Sequence, residues 1–191
     1  MNLEGQTDSA SHAWFALRVK SRSEKIVSTI ARNKGFEEFL PLYQSRRRWS
    51  DRFKSVDVPL FPGYVFCRLN PEFRLPLLTI PGVLSFVGIG KVPVPIDDSE
   101  IAAIQTAVGS GLLAEPYPFL EVGQRVRIAE GPLTGIEGLL VEVRKQQRLA
   151  VSVSLLKRSV AVEIDRHWVR PLDAGGREIS VQFRPALAAS A

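Results

Sequence analysis

The sequence predicts an α+β protein with two domains, an N-terminal ferredoxin-like α/β sandwich followed by a small SH3-like β-barrel. Two observations support this fold class. Strand and helix periods alternate along the first half of the chain, and after Gly109 the helical period gives way to short alternating apolar segments punctuated by glycine. The expected limits are 1–12 for a disordered start, 13–109 for the first domain, 110–118 for a linker, 119–173 for the barrel and 174–191 for a loose tail.

The first domain begins with a strand at 14–20, along which apolar residues alternate toward one face. Ser21 and Glu24 form a capping-box pair, which predicts a helix that ends at Gly35. The positions expected to point inward from this helix are Ile26, Val27, Ile30 and Ala31. The pattern is therefore that of a helix crossing one face of a sheet.

The rest of the first domain continues the same alternation of strands and helices. Its further strands are expected at 39–43, 56–60, 64–69 and 83–87. Asp97 or Asp98 caps a second clear helix, which ends at Gly109. Its inward residues are expected to be Ile101, Ile104 and Val108. The order β-α-β-β-(α)-β-α suits a small open sheet backed by helices.

An arginine-rich segment separates the strands at 39–43 and 56–60. Ser50 and Asp51 suit a turn, so we interpret the segment as a protruding basic hairpin. Its candidate nucleic-acid contacts are Arg46, Arg47, Arg48, Trp49 and Arg52, to which Lys20 on the first strand is added. Two interpretations stay open: a solvated loop, or a finger that contacts phosphates while the indole stacks on a base.

One face of the sheet is predicted to carry aromatic side chains. Tyr64 and Phe66 alternate away from the core-facing positions of their strand, and Trp14 does so on the first strand. If helices cover only the opposite face, these rings form an exposed patch with Arg18 close by, and such patches usually bind a partner. The alternative is that loops or the second domain fold over the rings.

Two ligands suit an exposed aromatic patch of this kind. Single-stranded RNA would stack its bases on the rings, whereas a partner's amphipathic helix would place its apolar face in the groove. The residues alone do not choose between the two.

The barrel contains three glycines and one loop of interest. Gly131, Gly135 and Gly138 stand where a short barrel needs a positive φ or a close backbone approach, so we expect their role to be structural. The loop Leu155, Leu156, Lys157, Arg158 is a candidate docking point if its leucines are exposed. A buried leucine pair is the equally good alternative.

Composition and motifs argue against several classes of protein. A net charge of +5 permits contact with nucleic acid without requiring it. No apolar run reaches the roughly 18 residues of a membrane span, and no secretory signal is visible. The single cysteine, Cys67, fits a reducing compartment, and neither His12 nor His167 offers it a base. We expect a cytoplasmic monomer without catalytic residues, metal site or cofactor.

The motifs occur in an order that resembles the NusG family of transcription elongation factors, with its NGN and KOW domains. The blocks that carry the resemblance are Trp14-Phe15, Leu60-Phe61-Pro62-Gly63-Tyr64-Val65, Ile80-Pro81-Gly82-Val83 with Phe86-Val87-Gly88, Pro95-Ile96, the glycine-rich run from Val122 to Val143, and Leu149 to Val153 with Val162-Glu163-Ile164. Together they span about residues 13–172.

The resemblance implies a non-enzymatic factor that binds RNA polymerase. The first domain would hold the clamp helices of the polymerase in an apolar pocket formed by Phe61, Tyr64 and Phe66, with Trp14 and Arg18 nearby. This favours helix docking over RNA stacking. Upstream or non-template DNA is a further implied partner, and the KOW domain would bind a ribosomal protein or the termination factor Rho.

Three functions are compatible with the resemblance. The basic hairpin and the loop with Leu156 look like those of specialised antiterminator paralogues of the RfaH, UpxY and LoaP kinds. The alternatives are the housekeeping NusG role and a KOW-type RNA-binding structural protein. The strong β alternation at 149–153 and 160–164 favours a constitutive β-barrel over one that refolds as a helical hairpin, as the barrel of RfaH can.

Overall fold

A computed structural model describes residues 12–49, 52–119, 123–143, 146–173 and 175–178. The elements up to residue 109 are β1 Ala13–Val19, α1 Glu24–Asn33, β2 Glu37–Phe39, β3 Leu42–Trp49, β4 Arg52–Pro59, β5 Tyr64–Leu69, α2 Leu75–Leu78, β6 Val83–Phe86, β7 Gly88–Ile89, β8 Val92–Pro93 and α3 Asp98–Gly109. The later strands are β9 Ala114–Pro118, β10 Gln124–Ile128, β11 Glu137–Val143, β12 Gln146–Val153, β13 Arg158–Glu163 and β14 Val169–Pro171. No helix in these ranges is long and apolar enough to cross a membrane.

The first sheet is four-stranded and antiparallel, with the order β2-β5-β1-β6. This is the strand order of a ferredoxin-like sandwich, because β5 and β1 are the central strands and each helix joins two strands that have one other strand between them, α1 from β1 to β2 and α2 from β5 to β6. One face carries the apolar side chains of α1 and α2 against those of β1 and β5. This first cluster comprises Phe15, Leu17, Val19, Val27, Ala31, Val65, Cys67, Leu69, Leu77 and Ile80. The predicted fold class is confirmed.

The predicted capping box at the start of α1 is wrong. The N-cap is Ser23, whose side chain makes no capping bond, and Ile26, expected to point inward, is 60% exposed. The carboxylate of Glu24 instead accepts the backbone N–H of Gly63 at 2.9 Å. The Glu24 carboxylate, which the local pattern assigned to the start of the helix, therefore accepts its hydrogen bond from Gly63, a residue distant in sequence.

The start of α3 is as predicted. The Asp97 carboxylate accepts the N–H of Ser99 at 2.7 Å, and hydrogen bonding to Ser99 lowers the pKa of this carboxyl. Ile101 and Ile104 are buried, but the third buried position is Ala107 and Val108 is only half-buried. The apolar stripe of α3 is thus slightly rotated from the predicted one.

The basic hairpin is present as a separate two-stranded sheet. Strands β3 and β4 pair from Leu42↔Pro59 to Trp49↔Arg52, so the ribbon is about 26 Å long at the usual strand rise. The strand predicted at 39–43 is divided, because β2 ends at Phe39 and the chain leaves the first sheet before Leu42. The predicted turn residues Ser50 and Asp51 lie outside the described residues.

The barrel is a six-stranded antiparallel sheet with the order β14-β10-β11-β12-β13-β9. The structural role predicted for its glycines is confirmed. Gly131 and Gly135 have φ values of +80° and +87°, which other residues rarely adopt. A Cβ on Gly138 would lie 2.5 Å from the Ala150 carbonyl oxygen, so this position needs a residue without a side chain.

The segment between the domains is more ordered than the sequence predicts. Ala114–Pro118, expected within a loose linker, form β9 and pair with β13 along its length. Alternation is interrupted there by Pro116 and Pro118, so the strand carries no recognisable pattern. In the expected tail, Leu172 bridges Glu178, whereas the alternating residues Ile179, Val181 and Phe183 lie outside the described residues. The domain limits themselves stay a prediction.

We expect Gly138→Ala to destabilise the barrel by about 1–3 kcal/mol, because the clash is with backbone that cannot move aside. Gly123→Ala is the matched control. A Cβ there would meet only the Leu139 side chain at an ordinary 3.6 Å, so its cost should stay within about 0.5 kcal/mol. Urea unfolding of both variants measures the difference, and equal stabilities would contradict the assigned close approach.

Candidate protein-binding face

The second face of the first sheet carries the predicted aromatic residues, but they are not exposed. Trp14, Phe61 and Phe66 are 4%, 1% and 0% exposed, and Tyr64 is half-buried. The prediction of an uncovered patch is therefore wrong for this arrangement, and the alternative, in which another part of the chain folds over the rings, is correct. Strand alternation fixes the face on which a ring lies, but it does not reveal what covers that face.

The aromatic rings pack closely on one another. The ring of Phe66 meets Phe61 edge-on with centroids 5.5 Å apart, and it lies 6.2 Å from the tilted ring of Phe39. Edge-to-face contacts at this distance are favourable. Phe66 is therefore the centre of the face and a core residue of the domain.

A tight turn before β5 places these rings. Gly63 has a φ of +86°, and the N–H of Tyr64 donates to the Phe61 carbonyl at 3.1 Å. Both backbone groups of Gly63, its carbonyl and its N–H, join the turn to the rest of the domain by hydrogen bonds. Its carbonyl accepts the Val19 N–H at 2.9 Å, and its own N–H donates to the buried Glu24 carboxylate. The start of α1 thus fixes the position of the aromatic face.

The face is covered by α3 and by the barrel. One apolar cluster contains the aromatic residues together with Ile101 and Ile104 of α3 and Val153 and Leu156 of the barrel. At its edge, the backbone N–H of Ser154 donates to both carboxylate oxygens of Glu100, at 3.2 and 3.3 Å. The first domain and the barrel are therefore in direct contact.

Tyr64 lies at the boundary between the domains. The guanidinium carbon of Arg158 lies 5.5 Å from the centre of the Tyr64 ring, within the range of a cation–π contact. Arg18, also predicted at this site, is exposed and pairs with Tyr64 across β1 and β5. The margin of the aromatic face thus carries two arginines, one from each domain.

The candidate docking loop of the barrel is turned inward. Leu156 is buried and Leu155 packs against the same apolar cluster, so the buried alternative is correct for these leucines. Lys157 has a left-handed backbone, with φ at +50°, and its ammonium lies 4.5 Å from the centre of the Phe119 ring. In this arrangement the loop contacts the first domain and β9 rather than an external partner.

The candidate nucleic-acid contacts are only partly described. Lys20 is exposed at the end of β1. The side chains of Arg46, Arg47, Arg48, Trp49 and Arg52 lie outside the described part of the chain, but their backbone register is defined. Arg47 stands opposite Lys54 and Trp49 opposite Arg52. Positions 47, 49, 52 and 54 therefore share one face of the ribbon, and 46, 48, 53 and 55 share the other.

Cys67 is not a nucleophile in this fold. Its side chain is fully buried, and burial raises the pKa of the thiol from 9.0 to about 12, with a smaller contribution from the charge of Glu38. At neutral pH the thiol is therefore protonated and inert. Among the described residues, no group of three or more His, Cys, Asp and Glu side chains could hold a metal ion.

Sequence reasoning missed the residues that join the elements. Glu24 was assigned to a local cap, and no role was assigned to Glu100, Arg148 or Glu115. Glu100 accepts a hydrogen bond from the barrel, and Arg148 pairs with Glu115 across two strands that are distant in sequence. Only the acidic position of Glu100 near a helix start carried any local signal. Each of these contacts depends on tertiary structure.

Three comparisons with known proteins agree with this architecture. A family model described as "Transcription termination factor nusG" matches residues 12–105. The "Transcription termination/antitermination protein NusG" of Vibrio vulnificus is 34% identical over 142 residues, covering 72% of this chain and 75% of that protein. The protein of the same name from Borreliella burgdorferi is 28% identical over 177 residues, covering 81% and 96%.

A solved structure has the same fold. It is described as "Domain interaction in Thermotoga maritima NusG", covers 83% of this chain and 96% of that one, and superposes with a TM-score of 0.51 at 23% identity. At this identity the likeness concerns the fold alone. It supports an NGN domain followed by a KOW barrel.

We expect Glu24→Ala to destabilise the first domain by about 1–3 kcal/mol, because the half-buried N–H of Gly63 loses its charged acceptor. Glu24→Gln keeps an oxygen at this place and should cost less. Chemical denaturation gives the two stabilities, and the amide proton shift of Gly63 reports the hydrogen bond directly. An unchanged Gly63 shift in Glu24→Ala would contradict the assigned role.

Proposed function

Because the chain belongs to the NusG family of transcription termination and antitermination factors, we propose that it acts on elongating RNA polymerase by binding the clamp helices at its aromatic face. The observation that supports this is the gathering of Trp14, Phe61 and Phe66, with Tyr64 at the margin, on the sheet face opposite α1 and α2. An apolar groove lined by aromatic rings suits the apolar side of a partner's helices. The proposed action needs no catalysis and no cofactor.

Docking requires the barrel to leave the aromatic face. Phe66 and Phe61 are buried beneath α3 and the barrel, so a partner helix and the barrel compete for one surface. The apparent affinity for polymerase would then be the intrinsic affinity multiplied by the fraction of molecules in which the barrel has left the aromatic face. Contacts such as Arg158 with Tyr64 and Ser154 with Glu100 set that fraction.

We propose that the protein suppresses pausing and termination on specific operons. The support is the barrel loop, in which Leu156 stands where the housekeeping factor typically carries an aromatic residue that docks a ribosomal protein. The second candidate is the housekeeping role, with coupling to Rho or the ribosome through the barrel, which the names of the relatives favour equally.

Transcription in vitro on a template with a pause and a Rho-dependent terminator separates the two candidates. A specialised antiterminator should shorten the pause in the absence of Rho and increase read-through of the terminator in its presence. The housekeeping factor should increase Rho-dependent termination, and that outcome would overturn the operon-specific proposal.

The basic hairpin is proposed to contact upstream or non-template DNA in the transcription complex. The ribbon forms a two-stranded sheet of its own, and one of its faces carries three cationic positions beside Trp49. Cations held on a narrow ribbon suit phosphate contacts, and an indole suits stacking on an unpaired base. Arg46 and Arg48 lie on the opposite face, so the proposed contact is made by the face with Trp49, and Lys20 is a further candidate at the end of β1.

Arg158→Ala and Tyr64→Ala remove the same contact from opposite sides and should change polymerase binding in opposite directions. Arg158→Ala loosens the covering barrel and should tighten binding of a clamp-helix fragment about two- to fivefold, the value of an exposed cation–π contact. Tyr64→Ala loosens the barrel equally but removes part of the docking face. It should therefore bind more weakly than Arg158→Ala by about 1–3 kcal/mol.

Calorimetry on the two folded variants measures this difference. Equal gains in affinity would show that Tyr64 is not part of the docking face. Phe66→Ala is unsuitable for this test, because emptying a fully buried aromatic site costs about 3–5 kcal/mol of stability.

Two double variants with the same loss of charge test the hairpin. Arg47 and Arg52 share the face that carries Trp49, whereas Arg46 and Arg48 share the other. We expect R47A/R52A to lower the slope of log affinity for upstream-fork DNA against log salt by about two, and R46A/R48A to change it little. DNA binding by the polymerase complex across salt concentrations measures the slopes. Unchanged slopes in both variants would mean that the hairpin is a solvated loop.

A further inference from the structure

We infer that the segment joining the two domains belongs to the barrel and moves with it, so that residues 109–112 alone are the hinge on which the barrel leaves the aromatic face. The inference deepens the proposed function, which requires such an opening. It places the moving boundary at the end of α3 and not at the end of the segment near Pro118.

Every described residue from Leu113 to Phe119 is held by the barrel. The Leu113 carbonyl accepts the N–H of Glu163 at 3.0 Å. Strand β9 then pairs with β13 from Ala114↔Val162 to Pro118↔Arg158. Finally, the Lys157 ammonium lies over the Phe119 ring. The segment is therefore a sixth strand of the barrel sheet.

An ion pair with one buried partner holds β9 in place. The Arg148 side chain is 4% exposed and that of Glu115 is 42% exposed, and Arg148 Nη1 donates to Glu115 Oε2 at 2.6 Å. The Nε of Arg148 is buried without a hydrogen-bond partner, so Glu115 carries much of the compensation for this buried charge. Detaching β9 would leave the Arg148 cation without this carboxylate, which is unfavourable for as long as the guanidinium stays buried.

The contacts between α3 and the barrel are of a different kind. The polar bond from Ser154 to Glu100 lies at an exposed edge, where water can replace either partner. The Arg158 side chain that faces Tyr64 is also exposed. Separation at α3 therefore costs less in unpaired buried groups than separation of β9 from β13.

Residues 109–112 have the local structure of a hinge. α3 ends at Gly109, and Gly111 has a φ of +73°. Two local hydrogen bonds of this stretch converge on Ser110, whose hydroxyl donates to the Ala107 carbonyl at 2.7 Å and accepts the Leu112 N–H at 3.2 Å. Changes in a few backbone dihedral angles here would be enough to rotate the barrel as a unit.

The position of the hinge limits how far the barrel can travel. From Gly109 to Leu113 the chain spans at most about 14 Å when extended, whereas from Gly109 to Gly123 it could span about 48 Å if β9 were released. An opened barrel that keeps β9 therefore stays beside the first domain.

Hydrogen exchange on the full chain tests this without any partner. Pro116 and Pro118 have no N–H, so the informative β9 amides are those of Glu115 and Tyr117. The reference amide is Val162 on β13, because the Glu163 N–H faces the β9 side and the neighbouring Val162 N–H therefore faces β12. We expect the slower of the two β9 amides to exchange within about threefold of Val162, and the amides of 110–112 at least about a hundredfold faster. Both β9 amides exchanging at the hinge rate while Val162 stays protected would overturn the inference.

Two reversible cross-links provide the second test. The pairs are E100C/S154C, which joins α3 to the barrel, and Y117C/S159C, which joins β9 to β13, each bridged by a short reducible bis-methanethiosulfonate. Cys67 is buried with a protonated thiol and does not interfere. The first bridge should weaken clamp-helix binding at least about tenfold, and chemical reduction of the bridge should restore binding. The second bridge should leave binding within about twofold of the unbridged protein.

The two proposals can fail separately. Loss of binding on bridging Y117C/S159C, with recovery on reduction, would show that β9 must detach and would overturn the hinge. If both proteins fail to bind even after reduction, the polymerase-docking proposal fails, and the exchange rates of Glu115 and Tyr117 still decide the hinge.

Discussion

The structure depends on one constraint: the central strands of the first sheet are apolar on both faces. β1 and β5 present Phe15 and Val65 on one side and Trp14 and Phe66 on the other. The helices α1 and α2 cover only the first side. The second must be removed from water by something else, because leaving several large aromatic side chains exposed costs about 1.5–3 kcal/mol each. α3 and the barrel supply that cover, and the contact between the domains follows from this requirement.

Local patterns predicted the strands and their faces well, because alternation is a property of neighbouring residues. The limits of β5 and the opposite orientation of Val65 and Phe66 were correct. The burial of Phe66 was not predictable in the same way, since the covering residues lie on elements that come much later in the chain. The same reason explains Glu24, whose acceptor oxygen serves the N–H of Gly63, 39 residues away. Tertiary contacts between residues that are distant in sequence leave little trace in a local pattern.

Two kinds of polar contact coexist in the molecule and have different consequences. Within the barrel, the buried guanidinium of Arg148 pairs with the half-exposed carboxylate of Glu115, whereas between the domains Glu100 meets Ser154 at an exposed edge. A charged group that stays buried is costlier to leave unpaired than a group that water can reach. The proposed competition between the barrel and a partner helix for the aromatic face requires this difference, in which β9 stays with the barrel while the barrel leaves the first domain.

The edge position of β9 has a consequence for association between copies of the protein. An unpaired edge strand offers its N–H groups to any other strand, which is the usual origin of sheet growth between molecules and of aggregation. β9 carries Pro116 and Pro118 at alternate positions, and neither residue has a donor to offer. The two prolines that interrupt the alternation of β9 thus also hinder intermolecular pairing at this edge, so that the barrel sheet stops at six strands.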